Sequence, residues 1–211
     1  MTQYGFYFDS TRCTGCKTCM LACKDKKDLS TEIAFRKVYD YEGGNWTKGE
    51  NNTYQTTAFM YHVSLACNHC ENPACFGKCP TGSITKDEAT GAVISGNEET
   101  CIGCGTCVEV CPYGAPTINE ETKKSVKCDM CIDLVTAGKQ PICVESCPLR
   151  ALEFGPIDEL RAAHPDAVDG IAPMPAGDLT NPSIAIELCP SAKMPGDTEG
   201  FVANEWEIAT K

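Results

Sequence analysis

The sequence predicts an α+β fold in which short helical turns and β-hairpins are arranged around groups of thiols, with the apolar core in second place. Three observations predict it. The chain has 17 cysteines in 211 residues, and sixteen of them fall into four sets of four. The stretches between sets carry short strand-forming runs broken by Gly, Asn and Asp. Leu, Ile, Val and Phe are not abundant, so bound metal is expected to supply much of the folding free energy, as structural metal does in small domains.

The composition removes several function classes. The net charge is −11, with no basic run and no interleaving of aromatic with basic residues, so no nucleic-acid partner is expected. The opening MTQYGFYFDSTRC has no basic start followed by an apolar stretch, and no export signal is read there. No apolar run approaches the roughly eighteen residues of a membrane span. Disulfide scaffolds belong mostly to short secreted modules, and an odd number of thiols cannot all pair.

The four sets form an internal repeat. The first is CTGCKTCMLAC, with Cys13, Cys16, Cys19 and Cys23; the second is CNHCENPACFGKCP, with Cys67, Cys70, Cys75 and Cys79. The third is CIGCGTCVEVCP, with Cys101, Cys104, Cys107 and Cys111. The fourth is split into CDMC, Cys128 and Cys131, and CVESCP, Cys143 and Cys147. In every set the last two thiols are four positions apart, and Pro80, Pro112 and Pro148 follow three of the final thiols; Lys24 takes that place in the first.

Structural zinc is the plainest use of four thiols, and the fourth set alone could serve it. The first and third are too short to wrap one tetrahedral ion with all four. Their C-x2-C-x2-C-x3-C spacing, with Pro after it in the third, is that of bacterial two-cluster ferredoxins. There three thiols hold one [4Fe–4S] cubane and the fourth reaches another. Sixteen thiols then make four clusters. Gly15 and Gly103 are expected to let backbone approach inorganic sulfide. The last two thiols of each set fit one helical turn, which the following Pro helps to end. Met20, Leu21, Ala22, Val108, Val110 and Val144 lie between those thiols, where they could exclude water or simply pack a core.

Between the first two sets, AFRKVYDYEGGNW and TTAFMYHVSL read as paired strands around a Gly-Gly turn and a polar loop. SITKDEATGAVIS and PTINEETKKSVKC read as hairpins, and PIDELRAAH as a short helix with Pro165 after its end. From residue 166 onward the sequence is rich in Pro, Gly and Asp without a sustained period, which predicts an extended tail lying over a partner or a disordered one.

The stretches YGFYFDSTRCTGCKTCMLACKD, CNHCENPAC, CPYGAP, PICVESCPLRALEFGPIDELR and GDTEGFVAN resemble the electron-transfer B subunits of anaerobic dimethyl sulfoxide reductases, nearly end to end. The cysteine scheme alone is shared with nitrate, formate, polysulfide, thiosulfate and tetrathionate relatives in the molybdopterin oxidoreductase superfamily. The resemblance implies a non-catalytic wire in a heterotrimer, passing electrons from a membrane anchor subunit that oxidises menaquinol to a molybdopterin catalytic subunit. It also implies how the sets pair, first with fourth and second with third. Cys13, Cys16, Cys19 and Cys147 would share one cubane, and Cys23, Cys128, Cys131 and Cys143 a second. Cys67, Cys70, Cys75 and Cys111 would share a third, and Cys79, Cys101, Cys104 and Cys107 a fourth.

Residues 1–35 with 120–160 would then form one ferredoxin-like unit and 60–119 the other, related by a pseudo-twofold. Residues 36–59 would be a β-hairpin insert and 161–211 an extended tail contacting a partner. The family's export habit implies a place on the periplasmic face of the inner membrane, after folded co-export with a partner bearing a twin-arginine signal; the cytoplasmic face is the other possibility.

Other function classes fit less well. A radical or hydratase-type cluster enzyme usually leaves one iron without a thiol, and here four sets are complete. A free-standing polyferredoxin would not need the insert or the long C-terminal segment. A metal-sensing regulator would carry a basic or DNA-reading element. Cys189, in ELCPSAK, has no companions and reads as a spare thiol. His69 could donate to a cluster sulfur or be solvated, and Arg150 could stabilise reduced-cluster charge or form a salt bridge.

Overall fold

The computed structural model describes residues 2–97 and 99–208. The fold starts with β1 (Tyr4–Asp9) and α1 (Thr18–Lys26), then runs through β2 (Lys37–Gly43), β3 (Trp46–Lys48), β4 (Tyr54–Thr56) and β5 (Phe59–Leu65). The second and third cysteine sets follow with α2 (Ala74–Gly77), β6 (Thr85–Lys86), β7 (Val93–Ile94) and α3 (Thr106–Val110). Next come β8 (Thr117–Ile118), β9 (Ser125–Val126), α4 (Ile132–Thr136) and α5 (Ile142–Glu145). The last elements are β10 (Leu152–Pro156), α6 (Ile157–Ala163), β11 (Ile184–Glu187), β12 (Gly200–Val202) and α7 (Glu205–Ile208).

Strand β1, YGFYFD, is buried along nearly all its length, so both of its faces must be covered. Phe6 and Phe8 pack into the main core with Val38, Val63, Leu152, Phe154 and Ile186. Tyr7, on the opposite face by the two-residue strand period, packs with Ile157 and Leu160 of α6. The strand is also central within its sheet: β10 pairs with it antiparallel, Phe6 opposite Phe154, and β11 pairs parallel, Phe8 opposite Ile186.

The insert is a hairpin as its sequence implies, β2 pairing antiparallel with β5 from Lys37↔Leu65 to Gly43↔Phe59. Its second strand runs beyond residue 59, and its polar loop folds into a smaller hairpin, β3 with β4. The two hairpins expected between cysteine sets form as β6–β7 and β8–β9, and the expected helix as α6.

The extended tail is a correction. Residues 161–211 do not trail from the body; β11 completes the central sheet and β12 pairs antiparallel with β2. Ile171, Ala172, Met174, Ile184 and Ile186 are buried in the main core. The four residues of β11 are too short to show a period and stand between Pro182 and Pro190, which is why composition alone read them as unstructured. Burying their apolar side chains outweighs the cost of ordering a Pro- and Gly-rich segment.

The helical turns follow the thiols. Cys19 and Cys23 lie on α1; Cys75, Cys107 and Cys143 lie on α2, α3 and α5. Where Pro follows the final thiol the helix has four or five residues, and where Lys24 stands instead α1 has nine. Proline disfavours helical backbone at the residue before it, and Cys111, before Pro112, is extended. Helix α1 packs against α5, and α2 against α3.

Candidate metal centres

Cavities gather the thiols in quartets. Cys13, Cys16, Cys19 and Cys147 wall one. Cys67, Cys70, Cys75 and Cys111 wall another, and Cys79, Cys101, Cys104 and Cys107 a third. Below these are the first, third and fourth sites. Cys23, Cys128, Cys131 and Cys143, the expected second quartet, are all buried. Burial is the main cause raising the pKa of Cys23, Cys128 and Cys131, and each also feels Cys143.

The crossing of the backbone sets the order of the sites. Helix α1 carries Cys19 at the first site and Cys23 at the second, and α5 leads from Cys143 back to Cys147. Helices α2 and α3 link the third and fourth sites in the same way, through Cys75 to Cys79 and Cys107 to Cys111. Between the halves, Cys67 is the first charge, after burial itself, that raises Cys128. Cys16 and Cys104 are exposed and Cys111 is half-buried, whereas Cys23, Cys128, Cys131 and Cys143 are all buried.

The donor set fits iron–sulfur chemistry. Tetrahedral all-sulfur coordination suits zinc or iron–sulfur groups. Three of the quartets wall voids rather than closing on a point. Burial pushes Cys13 and Cys70 up to about 11, and Cys23 and Cys75 up to about 12. These thiols must give up protons to bind metal, so loading releases protons. Exposed Cys16 is lowered instead, by its hydrogen bonds with Thr18.

Hydroxyls and amides surround the sulfurs. Thr18 Oγ1 lies 3.4 Å from Cys16 Sγ, Thr106 Oγ1 3.3 Å from Cys104 Sγ, and Ser64 Oγ 3.3 Å from Cys19 Sγ. Cys107 Sγ donates to Ser125 Oγ at 3.1 Å, whereas Thr180 donates to Cys70 Sγ at 3.2 Å. Backbone N–H groups of Ser125, Met130 and Ala151 donate to Cys101, Cys128 and Cys147. Such donors stabilise added negative charge on a cluster and tune its potential. Sequence reasoning passed over these residues. The hydroxyl two residues after Cys16 and Cys104 was readable, yet Ser191 stands the same way to Cys189, which walls none of the three cavities.

Several individual expectations change. A Cβ at Gly15, where φ is +66°, would strike the His62 ring, and one at Gly103, φ +68°, the Lys123 carbonyl; neighbouring residues, as well as any sulfide, require these glycines. Leu21 and Val108 are exposed, while Met20, Val110 and Val144 pack against the cores. Leu21 sits two positions from both thiols of α1, on the opposite helical face. His69 is buried; its Nδ1 accepts from the Val93 N–H at 2.9 Å, which puts the ring proton on Nε2, and Nε2 has no partner. Arg150 donates to the carbonyls of Glu145 and Cys147, capping α5, and takes part in no ion pair among the described residues. Lys24, in the place of proline, donates to the carbonyls of Ser30, Thr31 and Ile33 and fixes the loop after the first set.

Paired ferredoxin-type thiol sets, crossed through short helices and lined with donors to sulfur, define an iron–sulfur electron-transfer protein. Comparison with known proteins agrees. Residues 58–157 match the 4Fe-4S dicluster domain and residues 10–29 the 4Fe-4S binding domain. The sequence is 52% identical over 207 residues to the B subunit of the anaerobic dimethyl sulfoxide reductase of Escherichia coli, covering 98% of this protein and 99% of that one. It is 50% identical over 208 residues to the corresponding B subunit of Haemophilus influenzae, covering 99% and 100%. The thiosulfate reductase electron transfer subunit of Salmonella typhi is 35% identical over 158 residues, covering 74% of this protein and 78% of its own length.

The protein belongs to the family of anaerobic dimethyl sulfoxide reductase B subunits. It is an electron-transfer subunit carrying [4Fe–4S] clusters, not a catalytic one. Among the described residues no helix is long and apolar enough to cross a membrane.

Proposed function

We propose that this subunit carries electrons one at a time through four [4Fe–4S] clusters, from a membrane anchor subunit oxidising menaquinol to a molybdopterin subunit reducing dimethyl sulfoxide. The observation that carries the reading is that three thiol quartets each wall a cavity, with Cys16 of one and Cys104 of another exposed. Tunnelling falls exponentially with distance, so closely spaced centres pass charge that one centre could not, and exposed thiols bring donor and acceptor near.

The ligand assignment is part of the proposal. Cys13, Cys16, Cys19 and Cys147 hold the first cluster, and Cys23, Cys128, Cys131 and Cys143 the second. Cys67, Cys70, Cys75 and Cys111 hold the third, and Cys79, Cys101, Cys104 and Cys107 the fourth. The cavities and the packing of α1 on α5 and α2 on α3 support it. The proposal includes a division into one ferredoxin-like unit built from the first and fourth sets and another from the second and third. The three subunits form a heterotrimer on the inner membrane, with this one peripheral on the periplasmic face after folded co-export.

The test is the anaerobically purified complex. It should hold roughly sixteen irons per copy of this subunit, four per cubane, beside a molybdenum subunit. In Cys23→Ser the paramagnetic signal of the second cluster should change while that of the first persists. Stoichiometric zinc with little iron, or perturbation of the first cluster alone, would refute the assignment. The thiosulfate relative motivates a second reading, an equivalent role with a sulfur oxyanion; the acceptor reduced by the co-purified complex decides between them.

A further inference from the structure

Two basic side chains are buried without a carboxylate. Arg36 is 2% exposed and Lys127 4%. Neither takes part in any ion pair among the described residues. Arg36 donates through one nitrogen to the Ser64 carbonyl and hydroxyl at 3.2 and 3.1 Å, lies over the Phe6 ring at 4.9 Å, and leaves Nε without a partner. Lys127 donates to the carbonyls of Val93 and Cys128. A buried charge with only neutral contacts is costly. Something negative must stand near each.

The groups beside them are the cysteine quartets. Arg36 interacts electrostatically with Cys19 of the first site and with Cys143, Cys128 and Cys23 of the second. Its contact Ser64 also lies against Cys19 Sγ. Lys127 lines the third cavity, acts on Cys75 and Cys111, and is joined to Cys128 of the second site through that residue's carbonyl. At the fourth site the cation that acts is Lys124, which donates to the Cys101 carbonyl at 2.6 Å. Arg36 immediately precedes β2, and Ser64 lies on β5, so the hairpin inserted between the first two sets brings both the guanidinium and the hydroxyl to the clusters. That gives the insert a task a bare ferredoxin does not need.

We propose that Arg36 and Lys127 are fixed counter-charges that raise the reduction potentials of particular clusters: Arg36 those of the first and second, Lys127 those of the second and third. A thiolate-ligated cubane is anionic and gains a further negative charge on reduction, so a permanent nearby cation favours the reduced form. Because the charges are fixed and shielded from solvent, added salt screens them little. Both act on the second cluster, which lies where the two halves meet. The inference rests on the ligand assignment proposed above.

The measurement is a redox titration of the purified complex followed by paramagnetic resonance. In Arg36→Met two of the four midpoints should fall, each by about tenfold in the one-electron reduction constant, about 59 mV. In Lys127→Met two should fall as well. One midpoint should fall in both variants and one in neither. Arg36→Lys and Lys127→Arg keep the charge and should restore the wild-type midpoints. Unchanged midpoints in a fully loaded Met variant, or a fall shared by all four clusters, overturn the inference.

If a Met variant assembles without its clusters, the charge-keeping variants decide. The proposal requires that they load and keep their midpoints, whereas a role confined to shape or hydrogen-bond geometry predicts that they fail too. The wild-type complex is spin-counted first. Fewer than four cubanes there would refute the underlying reading, separately from any result with Arg36 or Lys127.

Discussion

Ile186→Ala tests whether the C-terminal segment belongs to the body of the subunit. Ile186 is fully buried in β11, opposite Phe8 of β1, and bridges Val168 through both backbone bonds, 2.9 and 2.7 Å. The substitution removes three carbons. At about 0.8 kcal/mol each their transfer amounts to about 2.4 kcal/mol. Rigid neighbours on both sides leave a cavity that brings the loss to about 3–4 kcal/mol, within the usual range for such truncations. For a protein of this size that is on the order of 6–16 °C in transition temperature. The assay is a thermal scan of the anaerobic complex at fixed rate, following the visible absorption of the clusters. Leu179→Ala, at a residue 60% exposed in the same segment, is the control and should stay within about 0.5 kcal/mol of wild type. If the two variants melt alike, the segment is not part of the core and the reasoning fails.

Cys189→Ser should leave iron content and every cluster signal unchanged, since the residue walls none of the three cavities and its sulfur lies against Ser191 in the main core; loss of one cluster would show a missed ligand. Thr180→Val removes the hydroxyl that donates to Cys70 and should lower one midpoint while all four clusters stay loaded. An unmoved set of midpoints would mean the contact has no electronic role. Asn204 is buried, accepts from the Asp40 N–H and donates to the Val38 carbonyl, tying the last helical turn to β2. Asn204→Ala should therefore cost about 1–3 kcal/mol by orphaning those groups, read as a lower transition temperature in the same scan.

What could be read from the sequence was local. Thiol spacing, the helical turns between third and fourth thiols, the three hairpins and α6 all depend on residues a few positions apart, and each formed. The partners of β1 could not be read, because Phe8 meets Ile186 and no periodicity spans such a separation. The second layer around the sulfurs was hidden for the same reason. Ser64, Ser125 and Thr180 are ordinary polar residues until folding brings them to Cys19, Cys107 and Cys70. Arg36 looks like one more surface cation within AFRKVYDY; only its burial reveals it. The tail was misread because Pro and Gly were weighed as breakers, while IAIE between two prolines was too short to count against them.

The parallel pairing of β1 with β11 has a consequence for how the subunit is made. The first strand leaves the ribosome early, and its parallel neighbour comes at residues 184–187, after every cysteine of the four sets. Thr180, the hydroxyl beside Cys70, arrives almost as late. During synthesis all sixteen thiols can therefore be exposed on a nascent polypeptide whose central sheet is still missing a strand. Until β11 docks beside β1, the core shared by Phe8 and Ile186 stays incomplete.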